Sequence, residues 1–338
     1  MFVNINSSPF ADAHADSLLW NRDLCNRSKE GHLDFPRLVE SGVRVQIFTI
    51  PTRGWPIVDG MRLFCTYRGW PRHARKSART RAIYQIEMLQ NACARSGGTV
   101  GIVRTRQELE TNLSKGKVSA IVGLEGAYPL EGKLASLREF WDLGVRYLGP
   151  AHLIPNAFSS CSFWIYQDRG LSALGRELLN EMARLGMGVD AAHASPRALD
   201  DMLSDDIFKT SPKISIFTSH TGVAGATRHW RNLSDTHLLN LTKRRGIISI
   251  ILARMYLGGR SIENFVKHVR HAASIAGFEN VAIGSDFDGF VKPPEGIRDV
   301  TDFRRAADAL LQSGIAPGDV AGVAGGNLIR YLNQTLPQ

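Results

Sequence analysis

The chain of 338 residues predicts a TIM-type (β/α)8 barrel, and three observations carry that reading. Short apolar, β-branched runs alternate with amphipathic stretches from one end to the other, which implies parallel strands joined by helical crossovers. Five of those runs end in His, Asp or Glu, and a parallel barrel gathers such ends at one rim. No repeat of fixed period, low-complexity block or long linker interrupts the alternation, so one domain over residues 1–338 is expected.

Taken in order, strands are expected at 10–16, 43–50, 99–104, 118–125, 145–149, 187–193, 214–220, 247–252 and 281–286. Each is a short apolar run set off by polar or glycine-containing segments, as strands are. Helices are expected between them at 74–95, 134–143, 174–185, 233–244, 262–276 and 303–311, where Ala, Leu and Arg recur with helical spacing. Nine strands are one too many for a closed barrel; the surplus is expected within 99–104 and 118–125.

Composition narrows the class. A hydrophobic fraction of 43% and a charged fraction of 22% are those of an ordinary globular protein. The net charge is +9, with Arg68, Arg72, Arg75, Lys76, Arg79 and Arg81 crowded into one stretch. A solvated face or partner surface is the expected use of that run, and steering of acidic substrates is a further option. No specific nucleic-acid binding is expected. Cys25, Cys65, Cys93 and Cys161 form no C-x-x-C pair, which argues against a disulfide scaffold or zinc knuckle. The first residues lack the basic-then-apolar pattern of a signal peptide, and no apolar run is long enough for membrane insertion. A cytoplasmic location is the expectation.

The chemistry is written at the strand ends. The first run carries Asp12, His14 and Asp16, and residues two apart in a strand face the same side. Further along, AIVGL stops at Glu125, GVDAA at His193, ISIFTS at His220 and VAIGS at Asp286. Singly, a His at a strand end is more often a hydrogen-bonded structural group, and an Asp in a DFDG turn is usually turn chemistry. Together they are costly to bury unless cations balance the carboxylates. Imidazole and carboxylate donors suit a hydrolytic divalent-metal site with open positions.

These blocks resemble the membrane dipeptidase, or renal-type dipeptidase, family of the amidohydrolase superfamily. The likeness runs from DAHAD through GLEGAY, LREFWDLGVRYLGPAH, GLSALGRELLNEMARLGMGVDAAHAS, TSH, RHWRNLSD, IGSDFDG and PPEGI to GGNLIRYL. It implies two divalent, zinc-like ions: His14 and Asp16 as first-strand ligands, Glu125 as the bridge, and His193 and His220 as the remaining ligands. It further implies that His152 of GPAH contacts the scissile group and that Arg231 of WRN binds the substrate carboxylate. Asp286 would sit beside the catalytic water, taking its proton and passing it to the leaving amine. The implied activity is cleavage of the amide bond of small dipeptides, with a D-residue tolerated at the carboxyl end, by a homodimer.

Each role has a plainer competitor. Arg231 stands beside Arg228 and His229 and could be a surface cation; His152 could be a core histidine. Asp288 reads as a turn residue, and Phe140 and Trp141 as core. Tyr128 and Tyr166 could line a pocket. One departure from the family is plain. Where the family commonly closes a strand with tyrosine, this chain has Ile251, Leu252 and Ala253, with Tyr256 following. An altered pocket on that side leaves two alternatives open: hydrolysis of another small amide, lactam or N-acyl amino acid, or a repurposed biosynthetic accessory protein.

Overall fold

The computed structural model describes residues 8–54 and 60–338. Its strands are β1 (Phe10–Ala15), β2 (Val43–Pro51), β3 (Val100–Ile102), β4 (Val118–Glu125), β5 (Val145–Gly149), β6 (Gly188–Asp190), β7 (Ile216–Thr221), β8 (Ile248–Ile251) and β9 (Val281–Gly284). Most are buried along their whole length, as strands covered on both faces must be. Eight of them pair in parallel in the order β1-β2-β4-β5-β6-β7-β8-β9, the sheet of a (β/α)8 barrel. β3 lies off that path and pairs only with Val118–Ala120 of β4. The reason is a vacancy on β4: β5 reaches it only from Val122 onward, so β3 takes the backbone groups below. The surplus strand therefore falls where it was expected.

Closure runs between β1 and the segment after β9. The Asp286 amide donates to the His14 carbonyl at 3.1 Å, and the Asp16 amide to the Phe287 carbonyl at 2.8 Å. The fully buried Asp12 carboxylate reinforces the seam, accepting from the Ser285 amide at 2.7 Å and its hydroxyl at 2.6 Å.

Several boundaries differ from the sequence reading. The expected helix 74–95 begins at Ala78, because the Ser77 hydroxyl and Thr80 form a capping box and Arg72–Arg75 is a separate turn. The strand expected over 187–193 stops at Asp190, and that over 281–286 stops at Gly284. Side-chain hydrogen bonds replace the ladder beyond both strands: Asp190 accepts from the Ala192 amide, and past β9 Asp12 accepts from the Ser285 amide before Asp286 turns to φ 59. Helices Phe35–Ser41, Arg106–Ser114, Pro196–Leu203 and Asn327–Thr335 were not among those expected from periodicity. The arginine run is divided. Arg68 pairs with Glu30 at 3.1 Å, Arg79 with Glu139 at 2.6 Å, and buried Arg81 donates to the Thr52 carbonyl at 3.0 Å. Among the described residues no helix is long and apolar enough to cross a membrane.

The barrel interior is layered. Near the strand starts, Val45, Ile47, Ile121, Tyr147 and Phe217 pack with Leu328, Tyr331 and Leu332 of helix Asn327–Thr335. Tyr147 and Tyr331 meet Phe217 at ring distances of 4.9 and 5.5 Å. Counting in steps of two up the same strands leads from Ile47 to Thr49, from Ile121 to Glu125, and from Phe217 to Ser219. The face that begins apolar thus ends polar.

Candidate active site

Glu125 is the centre of the polar layer. It closes β4, is buried, and its Oε1 lies 3.0 Å from His193 Nε2, 3.4 Å from His14 Nε2 and 3.6 Å from His220 Nε2. Its Oε2 faces His152 Nε2 at 3.6 Å. His14 Nε2 also lies 3.5 Å from Asp16 Oδ1 and 3.9 Å from Asp286 Oδ1. The structure therefore brings His14, Asp16, Glu125, His152, His193, His220 and Asp286 into one volume. They come from the ends of β1, β4, β7 and β9 and from turns just beyond β5 and β6.

Burial and mutual charge dominate the electrostatics. Desolvation raises Glu125 well above the usual carboxylate range; Asp16, Asp286 and Asp190 push the same way while His14 opposes. Burial carries Asp286 up to about 8. Desolvation lowers His14, but Glu125, Asp16 and Asp286 outweigh it and hold it at about 10. His193 and His220 are driven well below the usual histidine range by burial, and His152 to about 4. Carboxylates resist ionising here because they are buried beside one another, a cost that a bound cation offsets.

The donor set fits divalent metal. Ligand atoms of Glu125, His193 and His220 all lie within 4.8 Å of one another, as do those of His14, Asp16 and Asp286. His193 Nε2 and His220 Nε2 face each other at 3.0 Å, while His14 Nε2 and Glu125 Oε2 are buried without a hydrogen-bond partner. Two imidazole nitrogens aimed at one point, with carboxylate oxygens beside them, suit a shared cation better than any hydrogen-bond scheme.

Arg231 is buried beside the same cluster. It is 2% exposed, so the surface-cation alternative does not hold. Its Nη2 donates to the His220 carbonyl at 2.8 Å, while Nε and Nη1 are buried without partners. Tyr256, in helix Arg254–Leu257 just beyond β8, places its ring 6.0 Å from the guanidinium and 4.9 Å from the His229 ring. Burial pushes its phenol up to about 12, with Arg231 pulling the other way. An aromatic ring thus stands on the Arg231 side of the site, in the helix that follows Ala253.

Further residues support the site from behind. The Tyr128 phenol donates to the Ile154 carbonyl at 2.5 Å and accepts from the His152 and Ile154 amides at 3.0 and 3.2 Å, fixing the turn that presents His152. After β9, Asp286, Asp288 and Phe290 all have positive φ, a concentration of unfavourable backbone at the rim. Asp288 stabilises that turn by accepting from the Ser17 hydroxyl, the His32 amide and Arg22, in keeping with its reading as a turn residue. Gly289 packs so tightly that a Cβ there would lie 2.0 Å from Asp286 Oδ1 and 3.1 Å from Asp16 Oδ2.

Comparison with known proteins shows likeness to dipeptidases over most of the chain. The family model for membrane dipeptidase (peptidase family M19) matches residues 4–336. An uncharacterised dipeptidase of Schizosaccharomyces pombe is 27% identical over 97% of this chain and 81% of its own length. Dipeptidase tcpJ of Claviceps purpurea is 32% identical over 74% of this chain, the match spanning 59% of that protein. A crystal structure of a metallopeptidase from Rhodobacter sphaeroides, liganded with a phosphinate mimic of the dipeptide L-Ala-D-Ala, superposes with a TM-score of 0.82 at 26% identity. That alignment covers 97% of this chain and 99% of the other.

Proposed function

We propose that this chain, which belongs to the membrane dipeptidase family, is a dipeptidase that holds two zinc ions and hydrolyses the amide bond of small dipeptides, D-residues at the carboxyl end included. The observation that carries the reading is Glu125 Oε1, within 3.0–3.6 Å of three imidazole Nε2 atoms from three separate elements. His14, Asp16 and Glu125 would hold one ion, and Glu125, His193 and His220 the other. Bound there, the cations would lower the pKa of a water and polarise a carbonyl.

The chain's own groups do the rest. Arg231, whose Nε and Nη1 are buried without partners, would donate a guanidinium N–H to the terminal carboxylate, which fixes the dipeptide's orientation. Neutral His152 donates from Nε2 to the scissile carbonyl oxygen as charge gathers there. Asp286 takes the water's proton on a carboxylate oxygen and returns it to the leaving amine. The site is built from strand ends along the whole chain, which supports one catalytic domain over residues 1–338.

A substrate panel on zinc-loaded protein tests this. Dipeptides such as L-Ala-D-Ala are expected to release free amino acids. The same dipeptide with its carboxylate blocked as an amide should fall roughly 10- to 100-fold in kcat/KM, as should the free dipeptide with Arg231→Ala. Turnover of a lactam or N-acyl amino acid with no dipeptide turnover would favour the other-amide reading. Zinc-loaded protein inactive on the whole panel would favour an accessory role.

A further inference from the structure

We infer that Ser219 is a positioning residue whose hydroxyl, held by Asp190, fixes the ring protons of two proposed metal ligands at once. Its Oγ stands at the meeting point of three buried groups. It lies 2.5 Å from Asp190 Oδ2, 2.9 Å from His14 Nδ1 and 2.8 Å from His220 Nδ1. Ser219 is 1% exposed and its backbone amide donates to Asp190 Oδ1 at 2.9 Å, so the residue is pinned through both main chain and side chain. The Ala192 amide adds a third donor to Asp190 at 3.0 Å.

Counting protons assigns every bond. A hydroxyl has one proton and two lone pairs, and an ionised carboxylate can only accept. The Ser219 proton therefore goes to Asp190, and both lone pairs are left for the imidazoles. His14 and His220 must each present N–H at Nδ1. When the rings bind cations, Nε2 is then the nitrogen left to carry the lone pair, and in both rings it is the atom that faces Glu125, at 3.4 and 3.6 Å. Without the hub, either ring could place its proton on Nε2 and lose the lone pair a cation needs. Asp190 and the two histidines are themselves close enough to suggest an ion site, but the Ser219 oxygen already lies within hydrogen-bond distance of all three.

The consequence is coupling. His14 and His220 belong to different ions in the proposed function, on which this inference rests, so one hydroxyl serves both. Removing it is expected to weaken both zinc sites together, by roughly 10- to 100-fold each.

Chelator competition with zinc gives the first readout, comparing wild type, Ser219→Ala and Asp190→Asn. Parallel weakening of both sites in Ser219→Ala supports the hub. Wild-type affinities, or loss at one site only, would overturn it. Failure of the wild-type protein to bind zinc would instead overturn the ligand reading, so the two failures are distinguishable. In Asp190→Asn the carboxamide can donate, which frees the Ser219 proton to turn toward a ring; weaker zinc binding supports the hub and unchanged binding opposes it.

A second measurement needs no variant to fold. In zinc-loaded wild type with 15N-labelled histidine, NMR should show protons on Nδ1 of both His14 and His220, protected from solvent exchange. A proton on Nε2 of either ring would overturn the inference.

Discussion

Phe217 and Ser219 stand two residues apart on β7 and face the same side, yet they serve opposite purposes. Around Phe217 the barrel interior is filled by Ile47, Ile121, Tyr147 and Tyr331, all buried and packed ring to ring or ring to aliphatic. Around Ser219 it is filled by Asp190, His14, His220 and Glu125, with ligand atoms left without hydrogen-bond partners. The lower layer gains stability from apolar burial and needs nothing further. The upper layer concentrates carboxylates and imidazoles in a dry space, and its carboxyl groups are pushed upward by burial. Stability and chemistry are thus separated by about one strand repeat along a single face, the lower layer serving as the rigid support for the upper.

The sharpest way to break that comparison is Glu125→Ala. One carboxylate serves both proposed ions, so both are expected to leave and hydrolysis to fall to background; metal analysis and a dipeptide assay check it. An active variant would remove Glu125 from the site. Phe217→Ala attacks the other layer. It should cost about 3–5 kcal/mol of stability in urea unfolding, while the folded protein keeps its zinc content. Loss of zinc from the folded variant would show that the layers are not separable.

Smaller effects sharpen the boundary. Gly289→Ala forces a methyl against Asp286 and Asp16. A drop of roughly 10²-fold in kcat is expected, measured at saturating dipeptide, with the melting temperature little changed. Tyr256→Phe should be the mildest, a change of about 2- to 10-fold in KM for substrates with a free carboxylate. An equal change for carboxyl-blocked substrates would dissociate the phenol from the Arg231 side of the site.

How much of this is legible in the sequence differs by layer. The barrel follows from alternating periodicities, and its surplus strand is foreseeable because eight strands close it. His14, Asp16, Glu125, His193, His220 and Asp286 stand out because each interrupts or ends an apolar run with a group too polar to be there for packing. His152 and Arg231 carry no such pattern and enter through family resemblance alone. Ser219 and Asp190 lie hidden inside their strand segments, since serine and aspartate there read as ordinary polar residues. Their meaning depends on His14, 205 positions away from Ser219, arriving at the same hydroxyl. Tyr128 and Gly289 are hidden for a similar reason: a phenol that fixes a turn and a glycine without room for a methyl are properties of contact. The ends of β6 and β9 are not legible, because the side-chain hydrogen bonds that replace the ladder there, from the Ala192 amide to Asp190 and from the Ser285 amide to Asp12, leave no mark in the pattern.

The central claim is that the upper layer is built around a pair of cations. Zinc-loaded wild-type protein, freed of unbound metal and analysed for zinc per chain by mass spectrometry, tests it most directly. The account predicts a ratio of two. A ratio below one from correctly folded protein would contradict it.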